Sequence, residues 1–184
     1  KRLYDAVQGK VPDRVPVVWG GTFYACKNAG IPYSSAYYDP TGWRNAYAQM
    51  LIDLDVDGYG SADYESGNML SALETNYTKW PGGNLPKDVG QQVIEQEFMK
   101  EDEYDLFLAD PSDFILRVWM PRIFGVMQPL TKLPPLMNLG ANPSAWISAL
   151  ATPEFAKFAK AMQKAAQEQA KWREEMGDFE KAMA

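Results

Sequence analysis

The carboxylates best placed for chemistry lie in residues 57–65, with the sequence DGYGSADYE. A short strand is predicted here, and its two glycines favour close approach of a ligand or another backbone because they leave little side chain to pack. Asp63 and Glu65 follow the carboxyl end of this strand, which is where parallel α/β sheets usually carry catalytic carboxylates. The alternative interpretation of both side chains is a solvated acidic turn.

The sequence contains no histidine, and this restricts the chemistry available to it. Ser-His-Asp and Cys-His machinery are excluded, as is the usual imidazole base. The single cysteine, Cys26, cannot assemble a zinc site of nitrogen and sulfur ligands, and a buried structural role is favoured for it. Chemistry by these residues must therefore use carboxylates, tyrosines, Lys or Arg, or a cofactor.

Composition is typical of an ordinary globular protein, with 46% apolar and 23% charged residues. The net charge of −6 argues against nucleic acid or an anionic membrane as a partner. The sequence shows no membrane-length apolar run and no signal-like opening, and one cysteine fits a reducing compartment, so a cytoplasmic location is predicted. No linker divides residues 1–184, which we interpret as a single domain. Because Met does not stand first, we expect the chain to begin inside a longer one.

Two apolar strands and an intervening helix are predicted to position the carboxylates. Residues 14–20 are β-branched and apolar, which predicts a buried strand. Apolar residues recur at helical spacing over residues 43–54, and this helix leads into the strand before Asp63. Strand, helix and strand form a βαβ unit, which implies a parallel sheet.

The rest of the chain is predicted to be mainly helical. Short helices are predicted over residues 69–74, 104–109 and 114–123. A long helix is predicted from Thr152, with apolar residues forming a core-facing stripe over residues 155–176. Residues 77–84 predict a strand that ends in a Pro-Gly turn, whereas residues 93–99 are compatible with either a strand or a helix start.

The order of several short motifs resembles the uroporphyrinogen decarboxylase family, which includes cobalamin-linked methyltransferases. The motifs are GKVPDRVPV at 9–17, GIPY at 30–33, DP at 39–40, the strand ending in Asp63, AL at 72–73, WPG at 80–82, MKEDEYD at 99–105, DP at 110–111 and PR at 121–122. They cover most of the sequence, and their order carries the resemblance. It implies an α/β fold, the helix-rich N-terminal part of a (β/α)8 TIM-type barrel with only two or three barrel strands present.

The resemblance also implies a pocket at the carboxyl ends of the barrel strands. The residues expected to border it are Trp19, Tyr24, Tyr59, Asp63 and Tyr64, with Glu65 beside them. In family members that decarboxylate porphyrinogens, the carboxylate matching Asp63 holds the pyrrole N–H groups and stabilises the developing cation. Those enzymes pair an arginine-rich loop after the first strand with the substrate's carboxylates, but residues 20–27 contain no arginine.

Methyl transfer involving a corrinoid protein is therefore the preferred prediction, and tetrapyrrole (uroporphyrinogen) decarboxylation is the alternative. The resemblance places zinc-binding residues of the methyltransferases in the C-terminal half of the barrel. Corrinoid and zinc are thus expected only for a full-length enzyme, whereas this portion should bind no cofactor and be inactive alone. The missing half or a second copy is expected to cover its sheet edges.

A non-catalytic binding or assembly module is a third interpretation. Its contact surfaces would be the aromatic loop at residues 33–38 and the proline-rich segment at residues 131–143. Ordinary loop packing is the alternative explanation for both segments.

Overall fold

The computed structural model describes residues 1–20, 23–60, 64–177 and 179. Asp63, the predicted catalytic residue, lies outside these described residues. The helices within them are α1 (Arg2–Val7), α2 (Tyr24–Ala29), α3 (Ser35–Tyr38), α4 (Pro40–Asp53), α5 (Gly67–Ala72), α6 (Tyr104–Ala109), α7 (Pro111–Phe114), α8 (Met120–Ile123), α9 (Pro143–Leu150) and α10 (Pro153–Met176). The strands are β1 (Val18–Trp19), β2 (Gly58–Tyr59), β3 (Thr78–Lys79) and β4 (Gln92–Val93). Turns of 3₁₀ helix occupy Glu101–Glu103, Gly125–Lys132 and Leu136–Asn138, and a π-helical turn occupies Ile115–Trp119.

The predicted βαβ unit is present. β1 and β2 pair in parallel, with Val18 opposite Gly58 and Trp19 opposite Tyr59, and α4 precedes β2 along the chain. The parallel pairing is therefore confirmed.

Local sequence explains where α4 begins. The side chain of Asp39 accepts a hydrogen bond from the backbone N–H of Gly42 at 2.9 Å, and Pro40 occupies the first helical position. The apolar face of the helix then buries Trp43 and Met50 completely. Capping and periodicity thus agree, and the predicted helix is confirmed.

Residues 14–20 were predicted to form a buried strand, and the predicted burial is wrong. Only Val18 and Trp19 form β1, and the side chains of Val15 and Val18 are 83% and 54% exposed. The physical reason is the size of the sheet: among the described residues β1 pairs with β2 alone, so no described strand covers its other edge.

The second sheet is antiparallel and separate from the first. Thr78 of β3 lies opposite Val93 of β4, which is the only residue of the undecided segment 93–99 that belongs to a strand, and residues 94–99 form neither strand nor helix. The described residues are therefore helix-rich with a few short strands, as predicted, but they form no closed barrel. None of the described helices is both long and apolar enough to cross a membrane.

The long helix α10 joins two apolar clusters. Its first half packs Phe155 and Ala165 against the turn at Gly125–Lys132, and its last turns pack Trp172 and Met176 against Trp43. The predicted core stripe is confirmed for Phe155, Ala165 and Met176. It is wrong for Ala159, Ala166 and Ala170, which are exposed because the helix has neighbours on one side only at those positions.

Charged side chains fasten the amino end of the parallel pair. The carboxylate of Asp57 accepts hydrogen bonds from Arg2 Nη1 at 2.8 Å, from the backbone N–H of Val17 at 3.0 Å and from Arg14 Nη2 at 3.3 Å. Arg2 also donates to Asp13 at 2.7 Å. We call Arg2, Asp13, Arg14 and Asp57 the amino-end clamp. It ties α1 and the segment before β1 to the start of β2.

Candidate functional site at the carboxyl end of the parallel strands

Aromatic side chains gather in the segments that follow β1 and β2. The ring of Tyr64 lies 5.1 Å from Tyr37, 5.3 Å from Trp43 and 5.8 Å from Phe23, and Phe23 stacks on Tyr33 at 5.0 Å. These separations are those of favourable aromatic pairs. The cluster therefore holds the Tyr64 ring in place where the chain leaves β2.

A cleft of about 460 Å³ lies beside Tyr64, and we call it the Tyr64 cleft. Its lining residues are Tyr64 and Glu65 after β2, and Gln169, Trp172, Arg173, Met176 and Gly177 at the end of α10. The backbone N–H of Ser66 donates to Gln169 Oε1 at 3.0 Å, which fastens the two walls together. Its volume falls within the range of small-molecule sites.

The described lining residues of the Tyr64 cleft include one acidic side chain, Glu65, and one basic side chain, Arg173. Among the residues that the structure describes, neither Glu65 nor Arg173 forms a salt bridge. Both side chains are exposed, whereas Trp172 and Met176 are buried and form an apolar floor. Opposite charges over an apolar, aromatic floor can orient a small polar ligand.

Two tyrosines next to Glu65 stay protonated near neutral pH. Burial raises the pKa of Tyr77, and the negative charge of Glu65 and a hydrogen bond to it raise that pKa further. Burial likewise raises the pKa of Tyr37, with smaller contributions from Tyr64 and Glu65. The hydroxyl of Tyr37 donates to Gln91 Oε1 at 2.9 Å. Both phenols are therefore neutral in the neighbourhood of Glu65.

Comparisons of the chain with protein families, curated proteins and solved structures find no match. They neither support nor oppose the resemblance to the uroporphyrinogen decarboxylase family, which rests on the motifs alone.

The predicted site residues separate into two groups within the described chain. Tyr64 and Glu65 line the cleft, but Trp19, Tyr24 and Tyr59 are not among its lining residues. The rings of Trp19 and Tyr24 are 5.6 Å apart, and Tyr59 contacts Phe179 with their rings 5.5 Å apart. Asp63 lies outside the described residues. The substrate-binding roles of these residues stay predictions.

The indole N–H of Trp19 is a second polar feature near the strand ends. It is buried and has no hydrogen-bond partner within the described parts of the chain. A buried donor without a partner is uncommon in folded proteins and calls for an acceptor. Trp19 therefore stays a candidate contact for a ligand or a further segment.

Sequence reasoning missed the α10 wall of the cleft. Gln169 contacts Ser66 across 103 positions of sequence, which no local pattern can predict. The burial of Trp172 had a signal, since it follows Ala165 by seven residues and precedes Met176 by four, which is helical spacing. Arg173 had no signal, because an arginine on an amphipathic helix is usually solvated.

The described residues offer no ligand set for a metal. They contain no group of three or more Cys, Asp or Glu side chains close enough to hold an ion. Cys26 is fully buried, and burial raises the pKa of its thiol to about 11, so it is a poor ligand and nucleophile. The expectation of corrinoid and zinc for a full-length enzyme therefore stays a prediction.

Proposed function

We propose that this chain is the N-terminal part of a uroporphyrinogen decarboxylase-like barrel enzyme that transfers a methyl group in partnership with a corrinoid protein. The observation that carries the proposal is the Tyr64 cleft, which follows the carboxyl end of a strand in a parallel pair. Catalytic sites of barrels and other parallel α/β sheets lie at that end. The motif order described above supports the same assignment.

The charge of the cleft favours methyl transfer over porphyrinogen decarboxylation. A porphyrinogen carries several carboxylates, which are best held by several bidentate arginines. Arg173 is the one cation among the described residues that line the cleft, and residues 20–27 contain no arginine. A substrate with a single carboxylate matches this site better.

The uncovered sheet supports a partner segment. Parallel sheets are normally covered on both faces, yet Val15, Val17 and Val18 are exposed beside β2. Strands with free edges also invite pairing. We propose that the remaining barrel strands, supplied by the C-terminal half or by a second copy, pair with this sheet.

An assay of the full-length protein with two substrates tests the proposal. A methylated corrinoid should be demethylated in the presence of an acceptor, seen as a change in its visible spectrum, whereas uroporphyrinogen should be unchanged. Decarboxylation of uroporphyrinogen would instead favour the tetrapyrrole decarboxylase over the methyltransferase. Inactivity towards both, together with stable capture of a partner protein, would favour the binding-module interpretation instead.

A further inference from the structure

Among the described residues that line it, the Tyr64 cleft carries one charge of each sign, and neither forms a salt bridge with another described residue. Glu65 and Arg173 come from different elements and have no salt-bridge partner among the described residues. We infer that the cleft binds a betaine, a small zwitterion with a methylated ammonium group and a carboxylate. Such a ligand would satisfy both charges at once, which favours it over an anion or a cation alone.

The acceptors of the cleft favour a methylated ammonium over a primary one. A primary ammonium has three N–H donors to satisfy. Gln169 Oε1 already accepts from Ser66 at 3.0 Å and the carbonyl oxygen of Met176 already accepts from Arg44 Nη1 at 2.8 Å, so each of these oxygens has one lone pair left for an ammonium N–H. A fully methylated ammonium needs no acceptors, because a carboxylate and aromatic rings stabilise it electrostatically.

The aromatic walls have the composition that such a cation requires. Tyr64 lines the cleft beside Glu65 and Trp172 lies in its floor, and tryptophan and tyrosine faces attract quaternary ammonium groups. The aromatic contacts of Tyr64 with Tyr37 and Trp43 fix the first ring, and burial fixes Trp172. The cationic half of the ligand is therefore assigned to Tyr64 and Glu65, above the floor that contains Trp172.

The other half of the ligand is assigned to Arg173. Its guanidinium can hold a carboxylate through two parallel hydrogen bonds. Gln169 lies one turn earlier on α10, and its side-chain N–H₂ group remains a donor because its oxygen is the atom that binds Ser66. Lys171 is not a competitor, since it pairs with Glu175 at 3.7 Å and is not a lining residue of this cleft.

The inference rests on the proposed function only in treating this cleft as the substrate site, where the ammonium of a betaine would lose one methyl group to the reduced corrinoid and leave as the dimethylamino acid, the reverse of corrinoid demethylation. Binding can be measured without turnover, so the inference and the proposed function can fail separately. Demethylation of a corrinoid without betaine binding would overturn the inference alone. Betaine binding by a protein that transfers no methyl group would overturn the function alone.

Titration calorimetry with three ligands of similar shape tests the charge requirement. Glycine betaine carries both charges, choline lacks the carboxylate, and 3,3-dimethylbutyrate replaces the ammonium by carbon. Betaine should bind at least about tenfold more tightly than either analogue, since a lost charge contact is worth about 1.4 kcal/mol or more. Equal affinities, or tightest binding of either analogue, would overturn the inference.

Charge-removing variants assign each half of the ligand to its residue. Arg173→Gln should abolish the preference for betaine over choline, and Glu65→Gln should abolish the preference for betaine over 3,3-dimethylbutyrate. The matched controls Lys164→Gln and Glu174→Gln remove exposed charges of α10 that do not line the cleft, so both preferences should persist. Loss of a preference in a control would show that net charge, not the cleft, selects the ligand, and would overturn the inference.

Discussion

The two ends of the parallel pair use charge in opposite ways. At the amino end, Asp57 is only 8% exposed and is held by Arg2 and Arg14. At the carboxyl end, Glu65 and Arg173 are exposed and form no salt bridge among the described residues. A charge paired within the fold contributes to stability, whereas a charge left unpaired in a cleft is available to a ligand. The first end should therefore control unfolding, and the second end binding.

Trp172 contributes both to the stability of the fold and to the binding cleft, and its removal should have the largest effect on folding. The side chain is 5% exposed, packs in the cluster that contains Trp43, and forms the floor of the Tyr64 cleft. Trp172→Ala should destabilise the protein by about 3–5 kcal/mol in urea unfolding, because it leaves a large cavity. Trp172→Phe should cost less. A loss below about 1 kcal/mol for the alanine variant would contradict the docking of α10 onto this cluster.

Asp63 provides the sharpest test of the carboxyl end as a catalytic end. If the residue stabilises a cationic intermediate, as the resemblance implies, Asp63→Asn should lower turnover by about two orders of magnitude. The melting temperature should change little, and Glu65→Gln should be measured alongside. A lower melting temperature with nearly intact turnover would identify Asp63 as a structural cap. Equal losses of turnover would show either that Asp63 is not the decisive acid or that the two acids share one site.

In contrast to Asp63→Asn, the main effect of Asp57→Asn should be lower stability. Hydrogen bonds from Arg2 and from the backbone of Val17 lower the pKa of Asp57 below its ordinary value of 3.8. A lowered pKa in the folded state gives stability that is present above pH 3.8 and is lost as pH falls through the folded pKa. The variant should melt several degrees below the original protein at pH 7, and the difference should shrink below about pH 4.

Asp13 supplies the control for the clamp. Its hydrogen bond from Arg2 lowers its pKa to about 2, but its side chain is 67% exposed, so solvent weakens the interaction. Asp13→Asn should therefore lower the melting temperature less than Asp57→Asn does. Equal decreases in melting temperature would contradict the expectation that the more buried of the two acids contributes more to stability.

Local patterns predicted the parts of the fold that local interactions determine. Helical spacing was sufficient for α4, spacing and the start at Thr152 were sufficient for α10, and the strand, helix and strand order was sufficient for parallel pairing. The role of Asp57 was not predictable, because its partner Arg2 lies 55 positions away in the sequence. Asp57 also stood in the stretch that was interpreted as a catalytic strand. The α10 wall of the cleft was missed for the same reason, since its contact with Ser66 spans 103 positions.

Removal of the Arg173 charge should have the smallest effect on folding. Arg173 at the carboxyl end is the counterpart of Arg2 at the amino end. Without ligand, Arg173→Gln should change the free energy of unfolding by no more than about 0.5 kcal/mol, as is usual for an exposed side chain without a structural partner. Arg2→Gln should lower the melting temperature clearly, because it leaves the buried carboxylate of Asp57 with fewer donors. Added glycine betaine should raise the melting temperature of the original protein and of Arg2→Gln but not that of Arg173→Gln, since a ligand stabilises only the state that binds it. If Arg173→Gln unfolds as readily as Arg2→Gln, Arg173 has a structural partner and the two ends do not differ in the way described.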